Sequence, residues 1–126
     1  MKVLYIEDND VQGDVLKRML EMLGKHEVRI APSGQVALQI AHEATWIPDI
    51  VITDRRLPNM MGAEIIMALR NETILKNVPI IMLSADMMSK SRTQALEAGA
   101  NEFFTKPVDY DRLNKCMKEL VIQTTT

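Results

Sequence analysis

The chain has little of what several classes of protein require. Among its 126 residues there is one cysteine, Cys116, which excludes an internal disulfide and fits a reducing, cytoplasmic compartment. No apolar run approaches the roughly 18 residues of a membrane span, and the N-terminus lacks the pattern of a signal peptide. Aromatic residues make up 4% and the formal net charge is −2, so we expect neither a base-stacking surface nor direct nucleic-acid binding.

Apolar strand patterns alternate with amphipathic helical patterns along the whole chain. The predicted strands cover residues 2–6, 27–31, 49–53, 79–83 and 101–105. A helical pattern follows each of them, and this alternation predicts an α/β domain with a parallel sheet and right-handed crossovers. We expect one domain over residues 1–122, followed by a polar tail over residues 123–126.

The third predicted strand ends in a carboxylate. An apolar, β-branched run from Ile50 leads directly to Asp54. Open α/β sheets hold their ligands at the carboxyl ends of the strands, so Asp54 is a candidate for chemistry. The alternative from this stretch alone is that Asp54 caps the following turn.

Polar side chains also follow three other predicted strands. Glu7 and Asp8 follow the first strand, Ser84 follows the fourth and Lys106 follows the fifth. Parallel strands bring these side chains to one edge, where the acids repel one another unless a cation lies among them. Carboxylates that bind Mg²⁺, together with a hydroxyl and an amine that hold phosphoryl oxygens, are what phosphoryl transfer requires.

These marks give the chain a clear resemblance to the receiver domain of bacterial response regulators, the chemotaxis receiver type of two-component signalling. The matching residues are Glu7-Asp8, Asp54 with Leu57-Pro58, Gly62, Ser84-Ala85 and Lys106-Pro107, each in order along the chain. The resemblance covers residues 2–121. It implies a doubly wound, flavodoxin-like (βα)5 fold whose five parallel strands have the order 2-1-3-4-5.

The resemblance also implies roles at the acidic edge. Asp54 would be the phosphoacceptor and would share Mg²⁺, or Mn²⁺ in its place, with Asp8. The backbone carbonyl of Arg56 would be the third protein ligand, and Glu7 would act on the metal through water. Lys106 would form an ion pair with the acids. The phosphoryl donor would be a sensor histidine kinase or a histidine phosphotransfer protein.

A switch is implied beyond the acidic edge. Ser84 would move to a phosphoryl oxygen, and Phe103 would turn inward, a state that burial favours. The surface affected would be the fourth helix, fifth strand and fifth helix, with Met87, Met88 and Tyr110 as candidates to line it; the alternative for Met87 is a core position. A downstream protein or an output domain would read this surface, and the chain would be a monomer or a weak dimer through it.

Two positions that vary within the family flank the expected phosphoryl site. Arg56 lies two residues after Asp54, and Asp86 lies two residues after Ser84. We expect both to slow decay of the phosphorylated state, either as an ion pair that screens it from water or through a direct bond from Arg56 to a phosphoryl oxygen. The opposing possibility is that Asp86 orients the water and speeds hydrolysis, and a further alternative is a solvated surface ion pair worth at most about 1 kcal/mol. Met61 stands where the family often has Asp, and no mechanism attaches to it.

Three other functions compete with this interpretation. Asp8-Asn9-Asp10 is similar to the nucleophile motif of haloacid-dehalogenase-type phosphatases, although the chain has no room for a cap and that reading leaves Asp54 unexplained. A flavodoxin-like electron carrier would need a phosphate-cradling loop where this chain is acidic. A receiver-like scaffold that is never phosphorylated would not need all the acids, the hydroxyl and the lysine.

Overall fold

A five-stranded parallel sheet forms the centre of the computed structural model, which describes residues 1–86 and 88–125. Its strands are β1 (Lys2–Ile6), β2 (Glu27–Ala31), β3 (Ile50–Asp54), β4 (Ile80–Ser84) and β5 (Glu102–Thr105). They are arranged in the order β2-β1-β3-β4-β5, and every pair is parallel. The predicted fold class and strand order are confirmed.

Helices cover both faces of this sheet. In the described residues they are α1 (Asp10–Gly24), α2 (Gly34–Glu43), α3 (Gly62–Arg70), α4 (Ser89–Ala98) and α5 (Tyr110–Thr125), with a 3₁₀ turn at Thr73–Leu75. None of these helices combines the length and apolarity that crossing a bilayer demands. Asn9 and Ser33 accept hydrogen bonds from the first turns of α1 and α2, so short polar side chains set both helix starts.

Alternate residues of each central strand face two separate hydrophobic cores. On β1, Val3 and Tyr5 pack with residues of α1 and α5, whereas Leu4 and Ile6 pack with residues of α2, α3 and α4. All four side chains are at most 2% exposed. Burial on both faces explains why these strands read as continuous apolar runs rather than as alternating patterns.

Element boundaries differ from the sequence-based expectation at several places. Asp54 pairs with Leu83 and Ser84 pairs with Thr105, so both polar residues are the last residues of their strands. Helix α4 begins at Ser89, and the predicted start at Met87 lies outside the described residues. Helix α5 continues to Thr125, through the segment expected to be a polar tail.

The segment after β3 contains a small antiparallel hairpin where a loop was expected. Arg56–Leu57 pairs with Met60–Met61. Pro58 and Asn59 form the turn, and Asn59 has a φ of 64°, which asparagine tolerates better than most residues. This hairpin returns the chain to the sheet edge, directly beside Asp54.

Gly62 permits α3 to begin against the backbone of Asp54. Its N–H donates a hydrogen bond to the carbonyl of Arg55 at 2.7 Å. A Cβ atom at this position would lie 2.6 Å from the carbonyl oxygen of Asp54. A side chain at position 62 would therefore force the strand end or the helix start to move.

Trp46 packs at the outer edge of the sheet, beside β2. Its indole Nε1 donates a hydrogen bond to Glu27 Oε2 at 3.1 Å. The guanidinium of Arg29 lies over the ring, 5.5 Å from its centroid. These contacts tie the segment between α2 and β3 to the start of β2.

Candidate functional site

The carboxyl edge of the sheet holds an open cleft of about 530 Å³. Backbone hydrogen bonds extend the strand ladder to its rim: the N–H of Lys106 donates to the carbonyl of Ser84 at 2.7 Å, and that of Arg55 to Leu83 at 2.9 Å. The cleft is lined by Asp8, Asn9, Gln12, Asp54, Arg55, Arg56, Ser84, Ala85, Asp86 and Lys106. The strand ends thus bring the predicted polar residues to one place.

Lys106 connects the acidic residues of this cleft. Its Nζ lies 3.1 Å from Asp54 Oδ1 and 3.2 Å from Glu7 Oε1. It also donates to Gln12 Oε1 at 2.7 Å. Asp54 Oδ1 accepts a second hydrogen bond, at 2.9 Å, from the N–H of Arg55. One ammonium group is therefore shared between two carboxylates and an amide.

Glu7 is the buried member of the cluster, with 2% of its surface exposed. It accepts hydrogen bonds from the Tyr5 hydroxyl at 3.1 Å and from the N–H of Asn9 at 3.3 Å. Burial raises the pKa of the Glu7 carboxyl, as does the nearby charge of Asp54, while Lys106 and the bond from Asn9 act in the opposite direction. Folding thus places a carboxyl group where its charged form is unfavourable.

Two contacts of this cluster were missed at the sequence level. Tyr5 precedes Glu7 by two residues, and on an extended chain that spacing places both side chains on one face. Burial and the Glu7 charge both raise the pKa of Tyr5, so it stays protonated and can donate. Gln12 is in the first turn of α1, and its N–H donates to the Asn9 cap at 2.9 Å. The helix cap therefore fixes the backbone of Gln12, and the side-chain amide oxygen of Gln12 accepts a hydrogen bond from Lys106.

Three carboxylates of this edge can share a cation. Glu7, Asp8 and Asp54 each offer one oxygen, and these oxygens lie within 4.8 Å of one another. Hard oxygen donors of this kind match the preference of Mg²⁺. Asp8 is exposed and Asp54 is partly exposed, so the group is open to the cleft, which Arg56 also lines.

The expected ion pair between Arg56 and Asp86 is replaced by a pair with the neighbouring arginine. Asp86 Oδ2 lies 3.4 Å from Arg55 Nη1, while the Arg56 side chain is exposed. Consecutive residues of an extended chain point in opposite directions, so only one of the two arginines can face Asp86. Hydrogen bonds from the N–H of Met88 and from the Ser91 hydroxyl lower the pKa of Asp86, and Arg55 and Arg56 lower it further.

Ser84 and Phe103 both have buried side chains. Ser84 is 2% exposed, and its Oγ accepts a hydrogen bond from the N–H of Asp86 at 2.9 Å. Phe103 is 8% exposed and belongs to the core that contains Met82 and Ala95. The ring of Phe103 is therefore turned inward in this structure.

Of the two described residues that were expected to line the groove between α4, β5 and α5, one does so. Met88 is exposed and borders this groove of about 880 Å³. Tyr110 is instead buried against Leu113 and Met117, because its position at the start of α5 faces the core. Met87 lies outside the described residues.

Comparison with known proteins adds a decisive observation. A family model described as the response regulator receiver domain matches residues 3–118. The chain belongs to this family. It is therefore a receiver domain of two-component signal transduction, and no finding supports the phosphatase alternative, whose motif residue Asn9 here caps α1.

Relatives of this receiver domain differ greatly in length. The chain is 30% identical to the chemotaxis protein CheY of Pseudomonas aeruginosa, over 85% of this chain and 85% of that protein. It is 33% identical to hybrid signal transduction histidine kinase M of Dictyostelium discoideum, over 94% of this chain and 5% of that kinase. Receiver domains thus occur both as nearly whole proteins and as small parts of large ones.

A solved relative holds magnesium. The receiver domain of a sensor histidine kinase from Pseudomonas aeruginosa has a TM-score of 0.85 and 29% identity, and the match covers 95% of this chain and 96% of that one. A magnesium ion is coordinated in the active-site cleft of that protein.

Proposed function

We propose that this receiver domain accepts a phosphoryl group on Asp54 from a phosphohistidine donor. Phosphorylation would then alter the surface formed by α4, β5 and α5. The observation that carries the proposal is the position of Asp54 at the end of the central strand, 3.1 Å from Lys106 Nζ and beside two further acids. The receiver unit would cover residues 1–122, as part of a single-domain regulator or of a longer protein.

A metal would complete this site. Asp8, Asp54 and the backbone carbonyl of Arg56 would hold Mg²⁺ directly, and Glu7 would act through water; Mn²⁺ accepts the same oxygen donors. Bound there, the cation offsets the negative charge of an incoming phosphoryl group. The three clustered carboxylate oxygens support this assignment.

The chemistry at Asp54 is a nucleophilic displacement. A carboxylate oxygen of Asp54 attacks phosphorus, the O–P bond forms, and the P–N bond to the donor imidazole breaks with its electron pair left on nitrogen. Lys106, which now contacts the Asp54 carboxylate, is placed to hold a phosphoryl oxygen after transfer. The domain would catalyse its own phosphorylation and dephosphorylation, without turning over a separate substrate.

An apolar groove beside the site would receive the donor protein, a histidine kinase or a phosphotransfer protein. Val11 and Val15 are 73% and 54% exposed on α1, and with Val108 they border a groove that also includes Lys106. A donor must bring its phosphohistidine to Asp54, and this groove continues directly into the acidic cleft. Val15→Lys should slow transfer from a phosphotransfer protein, while transfer from acetyl phosphate stays unchanged.

The output would pass through Ser84 and Phe103 to the groove formed by α4, β5 and α5. Ser84 would exchange its bond from the N–H of Asp86 for one to a phosphoryl oxygen, and Phe103 would be held inward. A downstream protein or an output domain would bind that surface, or a second copy would bind it weakly. Ser84→Ala should still accept phosphate at Asp54 but show weaker phosphorylation-dependent NMR shifts along this surface.

The phosphorylated state should decay at a rate that Asp86 and Arg56 influence. Both side chains belong to residues that line the cleft through which water must approach. Asp86→Ala should speed decay severalfold because it removes a side chain that borders this approach, and Arg56→Asn should have a smaller effect. If neither change speeds decay, these residues do not control access of water.

The central test is phosphorylation of Asp54→Asn by acetyl phosphate with Mg²⁺, followed by intact mass. The parent should gain one phosphoryl mass, and the variant should gain none, because the amide keeps the shape but is not a nucleophile. Asp49→Asn is the matched control, since Asp49 precedes the same strand at its opposite end and its carboxylate accepts a hydrogen bond from the backbone N–H of Lys2 there. An Asp54→Asn protein modified as fully as this control would overturn the proposal.

A further inference from the structure

We propose that Arg55 is a latch residue, released by phosphorylation, that holds the β4–α4 loop while Asp54 is unmodified. This inference rests on the proposed function of Asp54. Arg55 follows Asp54 directly, and its guanidinium Nη1 lies 3.4 Å from Asp86 Oδ2 across the cleft. The side chains of Arg55 and Asp86 are 20% and 27% exposed, so the pair is partly shielded from water.

Asp86 organises the loop that Arg55 reaches. Its Oδ1 accepts the N–H of Met88 at 2.9 Å, and its Oδ2 accepts the hydroxyl of Ser91 at 2.8 Å. Its own N–H donates to Ser84 Oγ at 2.9 Å. Ser84 and Ser91 are 2% and 4% exposed. Asp86 therefore links the hydroxyl at the end of β4 to the first turn of α4, and Arg55 fixes this link to β3.

Phosphorylation would change which anion Arg55 prefers. A phosphoryl group brings close to two negative charges and several strong acceptor oxygens into the cleft, beside a guanidinium that now faces a single carboxylate. The planar fork of arginine suits phosphate oxygens, and Arg55 lines the cleft that would contain them. Arg55 would then leave Asp86, and the loop would lose its connection to β3 at the moment when Ser84 is needed at the phosphoryl group.

Arg56 supplies a control of matched chemistry. It has the same charge, is the next residue and lines the same cleft, but its side chain is exposed and forms no ion pair with Asp86 among the described residues. Asp86→Asn keeps acceptor and donor atoms for Met88 and Ser91 while it removes the charge. Two double-mutant cycles follow, which differ only in which arginine is changed. One combines Arg55→Gln with Asp86→Asn, and the other combines Arg56→Gln with Asp86→Asn.

The test compares amide NMR shifts of residues 84–91 in the unphosphorylated proteins with those of the parent bound to beryllofluoride, an unreactive phosphoryl analogue, and Mg²⁺. Arg55→Gln should move the loop amides toward the analogue-bound positions and raise the population of that state two- to fivefold, the range for a partly exposed ion pair. The double variant Arg55→Gln, Asp86→Asn should move the loop amides no further than Arg55→Gln alone. Arg56→Gln should give shifts that are small and additive with Asp86→Asn.

Equal shifts in the two arginine variants, or additive shifts in the Arg55 cycle, would overturn the latch. A second readout tests its release: the side-chain Nε signal of Arg55 should shift when the parent binds the analogue, and an unchanged signal contradicts release. The mass of the parent treated with acetyl phosphate separates the two proposals. A parent that gains no phosphate at Asp54 defeats the proposed function and the release step, whereas the cycles in unphosphorylated protein still decide whether the latch exists.

Discussion

Two partly buried cations lie at opposite ends of the sheet, and their partners differ in kind. Arg70, at the end of α3, donates to uncharged oxygens at the amino edge of β4 and β5: the carbonyls of Gly99, Leu75, Lys76 and Val78 and the Asn101 side chain. Lys106, at the carboxyl edge, is shared between Glu7, Asp54 and Gln12. Arg70 binds oxygens that carry no charge and do not titrate, whereas Lys106 contacts carboxylates whose charge a metal or a phosphoryl group can offset or change.

The comparison shows that a cation that stabilises the fold and a cation of the reactive site lie at opposite edges of one sheet. Burial lowers the pKa of the Arg70 guanidinium, yet arginine stays charged at any ordinary pH, so its hydrogen bonds are permanent. Lys106 contacts a carboxylate that is itself the proposed nucleophile. Removing Arg70 should therefore affect stability, and removing Lys106 should affect reactivity.

The largest effect is expected for Lys106→Met. Loss of the ammonium group removes a preorganised donor from the phosphoryl site, and we expect phosphorylation of Asp54 by acetyl phosphate to slow by about a hundredfold. Mass spectrometry of timed samples measures the rate. A rate within twofold of the parent would show that Lys106 is as structural as Arg70.

Arg70→Met should have the opposite signature. The substitution leaves several carbonyls without their charged donor, and we expect a loss of about 2 kcal/mol in the free energy of unfolding. Urea denaturation measures the loss, and phosphorylation of Asp54 well below the melting temperature should proceed as in the parent. Arg18→Met is the control, because Arg18 is exposed in an i,i+4 pair with Asp14 and should cost less than about 0.5 kcal/mol.

The two tyrosines of the chain sharpen the comparison at the carboxyl edge. The hydroxyl of Tyr5 donates to Glu7, whereas that of Tyr110 has no hydrogen-bond partner among the described residues. Tyr5→Phe should cost about 1 kcal/mol and weaken Mg²⁺ binding, because Glu7 loses a donor. Tyr110→Phe should be neutral or stabilising in the same urea titrations. Equal effects would mean that the bond from Tyr5 to Glu7 contributes nothing.

The smallest effect, and one that depends on pH, is expected for Glu7→Gln. The pKa of Glu7 is raised above its ordinary 4.5 in the folded protein, so the folded state binds this proton more tightly than the unfolded state. Stability contributed by the protonated group is lost as pH rises through 4.5 and past the folded pKa. The variant should therefore match the parent near pH 4 and melt a few degrees higher at pH 7. Glu21→Gln, at an exposed position of α1, should show no such divergence.

The fold and the principal site residues could be predicted because both follow from strong, local patterns. Apolar runs marked each strand, and parallel topology then placed Asp54, Ser84 and Lys106 at one edge. Which arginine pairs with Asp86, Arg55 or Arg56, could not be predicted. It depends on the direction in which β3 enters the following hairpin, and the sequence predicts a loop in place of that hairpin. The Pro58-Asn59 turn was the available signal for that hairpin.

Contacts made by long side chains were equally beyond the sequence. The partner that Gln12 finds in Lys106 is 94 residues away, and its geometry depends on how α1 docks on the sheet. The carbonyls that surround Arg70 come from two connections, the one between α3 and β4 and the one between α4 and β5. Neither connection has a residue pattern that predicts a bound cation.

The position of the single tryptophan decides what intrinsic fluorescence can report. Trp46 is held by Glu27 and Arg29 of the outermost strand β2, and Glu27 lies at the end of that strand away from the acidic cleft. Its emission should follow the detachment of this strand during denaturation and remain steady while Mg²⁺ or phosphate is added. The same optical signal can therefore quantify unfolding in every variant of the cleft without being altered by what occupies the cleft.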